Sequence, residues 1–252
     1  MSDELDLLKR RFVELAKKSY NAGIFTFTGF LGLAEQSAFS EILTEIKGIP
    51  YTAFGGAFGA ERVMLRFGSI EDCGYDAPFP IATVMAEPTS KKFADKLTHR
   101  DFLGAILNLG IERRCIGDIV IIDNVGYIFA DEDIAEFIVR NLSKVKHTEM
   151  RLALVTEIPE GELYRTELRE VQVTSERIDA VVARVYSLSR EDAKTLFTKG
   201  LVFVNGKCVK NPSYTPHDGE KISVRGKGRM IYRGVVSTSR KGKLNLRIEL
   251  YV

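Results

Sequence analysis

The chain has 252 residues, 45% of them apolar, which is enough to fill one or two hydrophobic cores or three small ones. No apolar run approaches the roughly 20 residues that span a bilayer, and the opening MSDELDLLKRRFVELAKK is too charged for a signal peptide, so a cytoplasmic protein is expected. The net charge of +2 hides an asymmetry: residues 175–252 hold 16 Lys and Arg against 7 Asp and Glu, a net of +9, and residues 1–174 hold 20 against 27, a net of −7.

Leu5, Leu8, Phe12, Leu15 and Ala16 recur at helical spacing and predict an amphipathic helix over residues 3–20, ended by TFTGFLG. A second helix is expected over 33–46, stopping at Gly48 and Pro50. YTAFGGAFGAERVMLRF then reads as two short strands around a glycine-rich turn. The glycines Gly55, Gly56 and Gly59 do not fit G-x-G-x-x-G, and no Lys-Ser or Lys-Thr follows, so a tight connection is expected and not a nucleotide loop. Glu61 and Arg62 are expected to pair or face solvent. These elements make an N-terminal α/β domain over 1–76.

Residues 77–157 carry a strand at Ile81 to Ala86, a helix stopped by Gly110, strands at 119–123 and 126–130 joined by DNVG, a helix capped by Asp131, and a strand near 150–155. The order β-α-β-β-α-β is that of the ferredoxin-like fold, shared by RNA recognition motifs. Such motifs stack bases on aromatics of two central strands. Here Tyr127 and Phe129 lie on one, and Ile81 to Ala86 offers none, so both rings are expected in the core, facing the helices. Arg100, Arg113 and Arg114 are secondary candidates for contact with RNA or a partner protein, with an Arg100–Asp101 ion pair as the alternative for the first.

Residues 158–174 are charged and turn-rich and are expected to be a linker. The last domain, 175–252, opens with a helix in RIDAVVARVYSL. A second follows in SLSREDAKTLFTKG, where Ser189 and Asp192 form a capping box and Gly200 is the stop. LVFVNGKCV is a hairpin around Asn205-Gly206, the pair suited to a type I′ turn. Arg190 and Lys194, one turn apart, and Lys199 and Lys207, flanking the hairpin, are expected to form a basic edge that receives phosphates, with an internal Arg190–Asp179 ion pair as the alternative. From Lys221 to Arg247 there are nine basic residues and no acidic one. Within that run Arg225, Lys227 and Arg229 precede two expected strands, with Arg240, Lys241 and Lys243 at the tip between them. Together with Arg177, these residues are the expected RNA-binding set. The cysteines Cys73, Cys115 and Cys208 and the histidines His99, His147 and His217 are too scattered for a disulfide or zinc site, so no metal and no cofactor are expected.

The stretch RIDAVVARVYSLSREDAKTLFTKGLVFVNGKCVKNPSYTPHDGEKISVRGKGR, Arg177 to Arg229, resembles the RNA-binding domain first described in ribosomal protein S-four. It departs from that pattern at Phe203, a larger side chain than expected at an outward position. Together with FGGAFGAERVMLRF and Leu97 to Val145, the chain is similar to the YlmH family of bacterial S-four proteins. The resemblance implies an α+β protein with a small N-terminal α/β unit, a central domain like an RNA recognition motif, and a C-terminal S-four domain. It also implies a non-catalytic factor that binds rRNA and tRNA on the large ribosomal subunit, in quality control of stalled nascent chains, with a quality-control protein as a further partner.

The alternative is an RNA-modifying enzyme, or its accessory subunit, of the pseudouridine synthase or methyltransferase type, to which S-four domains are often fused. The upstream half offers neither a G-x-G cofactor loop nor a recognisable catalytic carboxylate motif. A tRNA synthetase relative is set aside because His-x-Gly-His and Lys-Met-Ser-Lys-Ser are missing. No exposed apolar repeat is evident, so a monomer is expected.

Overall fold

The computed structural model describes residues 2–158 and 164–251. It comprises two compact units, Met1–Tyr164 and Arg165–Val252. In the first, α1 (Ser2–Ala22) and α2 (Leu33–Glu41) pack on a small antiparallel sheet of β1 (Thr26–Phe27), β2 (Tyr51–Phe54) and β3 (Met64–Phe67), in the order β1-β3-β2. The helical stripe of α1 buries Phe12, Leu15 and Ala16 against Phe39, Leu65 and Phe67. Phe12 meets Phe39 edge-on, with ring centroids 5.4 Å apart. The second helix stops at Glu41, short of 46. The Ile42 N–H turns to the Phe39 carbonyl at 3.1 Å, and Ile42 and Ile46 are buried from turns. A one-turn helix, α3 (Ile70–Cys73), is capped by Ser69, whose hydroxyl accepts from the Asp72 N–H.

The rest of this unit is β4 (Ile81–Pro88), α4 (His99–Leu107), β5 (Ile116–Ile122), β6 (Val125–Asp131), α5 (Glu132–Asn141), β7 (Lys144–Val145) and β8 (Thr148–Val155). The antiparallel order β5-β6-β4-β8-β7 is the expected ferredoxin-like sheet with a short extra strand at one edge. The β5–β6 hairpin turns at Asp123 and Asn124, both at positive φ (48° and 66°), as a type I′ turn requires. Thr98 and Asp101 form a reciprocal capping box at α4. The Asp101 carboxylate accepts from the Thr98 N–H at 2.8 Å and from its hydroxyl at 2.7 Å, so it is engaged by Thr98 and not by Arg100. One face of the sheet packs on α4 and α5 through Val84, Ala86, Phe102, Ile106, Ile128 and Ile138.

The other face carries Phe129 and Tyr127, contrary to the expectation that both rings face the helices. Strand alternation puts Ile128 and Ala130 toward the helices and their neighbours on the opposite side. Phe129 is nonetheless fully buried, because Phe30 and Met64 of the N-terminal elements cover it. Gly56 permits this approach: its φ is +93°, and a Cβ there would lie 2.4 Å from Phe129 Cδ1. The glycine-rich turn is therefore a packing device. Arg62 is a second correction, since it turns inward instead of facing solvent. Its Nε donates to the Ile116 carbonyl at 2.9 Å and Nη2 to the Phe30 carbonyl at 2.8 Å. Asp118 completes the joint by accepting from the Glu61 N–H (2.7 Å), the Arg62 N–H (3.0 Å) and the Tyr164 hydroxyl (2.9 Å).

The second unit is a six-stranded antiparallel sheet covered by two helices. Its elements are β9 (Thr166–Val173), α6 (Ile178–Val185), α7 (Arg190–Thr198), β10 (Val202–Val204), β11 (Lys207–Cys208), β12 (Lys221–Val224), β13 (Gly228–Thr238) and β14 (Leu244–Tyr251), with strand order β11-β10-β12-β13-β14-β9. Ile178, Val181, Val182, Ala193 and Phe197 bury the helices on Val202, Val204, Ile222, Val224 and Ile248. The linker expected over 158–174 is, from Thr166 to Val173, an edge strand paired with β14 along its whole length. Its exposed Glu167, Arg169 and Glu170 masked the strand pattern, as charges on an edge strand do. Residues 159–163 of that segment lie outside the described residues. Phe203, expected to point outward, is 2% exposed, on the opposite side of β10 from Val202 and Val204.

Candidate nucleic-acid interface

The two helices of the second unit meet over one buried charge. Asp179, in the first turn of α6, is completely buried. Arg177 grips it with both arms of its guanidinium, Nε to Oδ1 and Nη2 to Oδ2, each at 3.1 Å, and Arg190 at the start of α7 donates to Oδ2 at 3.1 Å. The internal ion pair weighed for Arg190 is therefore the observed arrangement. Pairing does not remove these arginines from the surface, since their side chains remain 40% and 45% exposed. A carboxylate holding one edge of each guanidinium leaves donors on the others, already fixed in direction.

Helix α7 carries this pattern onward. Its N-cap Ser189 accepts from the Asp192 N–H at 3.0 Å. The Asp192 carboxylate does not reach the Ser189 backbone as a full capping box would; it takes the serine hydroxyl at 2.7 Å. Lys194 is exposed one turn beyond Arg190, and Lys199 is exposed at the C-cap. Gly200 follows at φ +64° and ends the helix. In the hairpin, Asn205 and Gly206 take the positive φ values (48° and 80°) of the I′ turn, and Lys207 is exposed on β11.

The remaining cations fall into two groups. Arg225 and Lys227 are exposed in the β12–β13 turn, and the Arg225 N–H donates to the Leu201 carbonyl at 2.9 Å, so this turn lies beside the end of α7 and Lys199. Arg240, Lys241 and Lys243 are exposed in the β13–β14 turn, at the opposite end of β13. Eleven strand residues separate the two turns, roughly 35 Å at the usual rise per residue. The basic run is also less free than its composition suggests. Arg233 donates to Glu249 at 2.8 Å, Arg247 to Glu170 at 3.3 Å, and the Arg229 guanidinium lies 4.5 Å from the centre of the Tyr251 ring.

The first unit contributes little of what was expected. Arg113 turns inward, its Nη1 donating to the carbonyls of Ile116 and Gly117. Burial, with Arg62 close by, lowers its pKa to about 10. Arg114 is exposed but ion-paired with Glu112 at 2.6 Å, and its carbonyl accepts from the Phe30 N–H at 2.7 Å. Arg100 is exposed on α4. The face on which an RNA recognition motif stacks bases is covered at Phe129, so base stacking there is blocked. Sequence reasoning missed Arg184, exposed in the last turn of α6. The signal was present: Val182 faces the core, and position 184, two residues on and roughly 200° round the helix, lies on the opposite side.

Comparison with known proteins fits this geometry. Residues 79–157 match the family of RNA-binding domains found in YlmH, and residues 176–222 match the S4 domain family. The chain thus carries, in that order, matches to a YlmH-type RNA-binding domain and to an S-four domain. It is 32% identical over 165 residues to "Ribosome-associated protein quality control protein P2" of Bacillus subtilis, a match covering 63% of each chain. The match therefore spans less than two thirds of that relative's length. Over 77 residues it is 34% identical to an "Uncharacterized RNA pseudouridine synthase" of Aquifex aeolicus, covering 27% of this chain and 32% of that one. Among solved structures, the cell division protein ylmH from Streptococcus pneumoniae is similar at 23% identity and a TM-score of 0.48, covering 62% of this chain and 93% of that one.

Proposed function

We propose that this protein is a non-catalytic RNA-binding factor of the cytoplasm that acts as a monomer on the large ribosomal subunit. It holds structured rRNA and tRNA there during quality control of stalled nascent chains. The observation that carries the reading is the pair Arg177 and Arg190, fixed by buried Asp179 and half-exposed beside Lys194. Cations whose spacing is set before the ligand arrives bind phosphates at a lower ordering cost. The similarity to a ribosome-associated quality control protein supports the setting. Arg225, Lys227 and Lys199 at one end of the sheet, and Arg240, Lys241 and Lys243 at the other, extend the contact along an RNA backbone.

The test is sedimentation of tagged protein through sucrose gradients of lysate at low and high salt, with sequencing of crosslinked RNA. Co-migration with large subunits, crosslinks to rRNA and tRNA, and release by salt are expected. If about four phosphates are neutralised, log K falls against log salt with a slope near −3, so a fourfold rise in salt costs roughly sixtyfold in affinity. A protein that stays at the top of the gradient and crosslinks to one modified nucleotide would instead identify an RNA-modifying activity.

A further inference from the structure

The second unit contains an open groove of about 450 Å³ between the end of β9, α6 and the α6–α7 turn. We propose that it receives a single unpaired nucleobase of the bound RNA, an inference that rests on the RNA-binding reading above. The volume lies within the roughly 300 to 1,000 Å³ usual for small-molecule pockets. Val173, Ala180, Ala183 and Leu188 give the groove an apolar lining, unsuited to a phosphate but suited to the flat face of a base. Ala180 and Ala183 are both buried and small, and a long side chain at either would project into the space.

Polar groups stand where a base edge needs them. Gln172, Thr174 and Ser187 line the same groove, and the Gln172 amide is steadied by its hydrogen bond to Asn245 Oδ1 at 3.1 Å. Arg184 and Arg190 complete the wall. A planar guanidinium can stack on a base while its neighbour takes the adjoining phosphate, and Arg190 is already oriented for that by Asp179. Charge complementarity extends outward. Val173 pairs with Leu244, the residue after Lys243, so the Arg240–Lys243 turn emerges at the groove's edge. Paired bases cannot enter such a site because their faces are stacked and their edges engaged. Bulged or loop nucleotides can.

The experiment uses the full chain and two synthetic RNA hairpins that differ only in one bulged 2-aminopurine. Wild-type protein should bind the bulged hairpin at least tenfold more tightly, and the probe's fluorescence should rise, because no aromatic side chain among the described residues lines the groove to quench it. Ala183→Met, which fills the groove, should reduce the preference below twofold while leaving affinity for the plain hairpin unchanged. Arg184→Ala, at an exposed site that does not threaten folding, should reduce the preference several-fold. Lys194→Ala should weaken both hairpins equally. Equal, salt-sensitive binding of the two hairpins by wild type would overturn the groove assignment and leave the RNA-binding reading standing. So would a preference that survives both groove variants. Failure to bind either hairpin at low salt would overturn both.

Discussion

Asp179 shows how a residue that repels RNA can be required for binding it. Its carboxylate is fully buried and is compensated by two half-exposed arginines. Breaking a wholly buried pair costs about 3 to 5 kcal/mol, and solvent around the arginines reduces that here. Asp179→Ala should lower stability by about 1 to 3 kcal/mol in urea unfolding, and RNA affinity should fall although one negative charge has been removed. A variant that binds RNA more tightly would show that the arginines need no positioning. The same geometry dictates how Arg190 should be probed. Arg190→Glu would place a second carboxylate against Asp179 and confuse unfolding with weaker RNA binding, whereas exposed Lys194→Glu reverses charge with the fold intact. That single substitution should weaken ribosome association at least tenfold in a gradient, with an unchanged unfolding midpoint. Sequence alone left Arg190 balanced between ion pair and phosphate ligand, because Asp179 is packed against a distant segment, where the Tyr214 and Pro212 carbonyls accept from the Ile178 and Asp179 N–H groups.

At the level of elements, most helices and hairpins were legible because local chemistry specifies them, the end of α2 being an exception. Asn205-Gly206 and Gly200 each need positive φ, and Asp131 caps α5 by accepting from the Asp133 N–H. What could not be read was the environment of a strand's second face. Phe129 alternates as expected, yet its partners Phe30 and Met64 come from about 100 and 65 residues upstream. Phe129→Ala should cost about 3 to 5 kcal/mol by opening that junction, measured by chemical denaturation. A cost near zero would mean that the N-terminal elements do not seal the sheet. Strand β9 was hidden for the opposite reason, too much charge and too little pattern. The two basic turns of β13 can be tested separately. Neutralising Arg225 with Lys227, or Arg240 with Lys241 and Lys243, should each flatten the salt dependence by about one unit for every phosphate no longer neutralised. At their separation the two effects should add.

For the molecule as a whole, the division at Tyr164 separates charge as well as cores. Residues 165–174 hold two Arg and two Glu, which cancel, so the net +9 counted from Ser175 is also the net charge of the second unit. It has its own core of helices on sheet. A fragment of residues 165–252 should therefore fold alone and retain most of the RNA affinity, and a fragment of residues 1–164 should fold and bind RNA at least a hundredfold more weakly. Equal binding by the two fragments, in a filter or fluorescence assay, would return the central domain to consideration as an RNA reader. The mixed α and β character and the S-four domain at the C-terminal side were readable from sequence. The occlusion of the central sheet was not, since it depends on how two modules of the first unit share a joint at Arg62 and Asp118.

Strand β9 has one more consequence. Thr166 pairs with Tyr251 across the edge of the sheet, so the polypeptide enters and leaves the second unit through neighbouring strands, about 4.8 Å apart. A module whose doorways adjoin can be inserted into a host loop, or reconnected head to tail, without stretching its interior. A circular permutant with those ends joined by a few glycines and reopened at the exposed Gly242 should fold with an unchanged core.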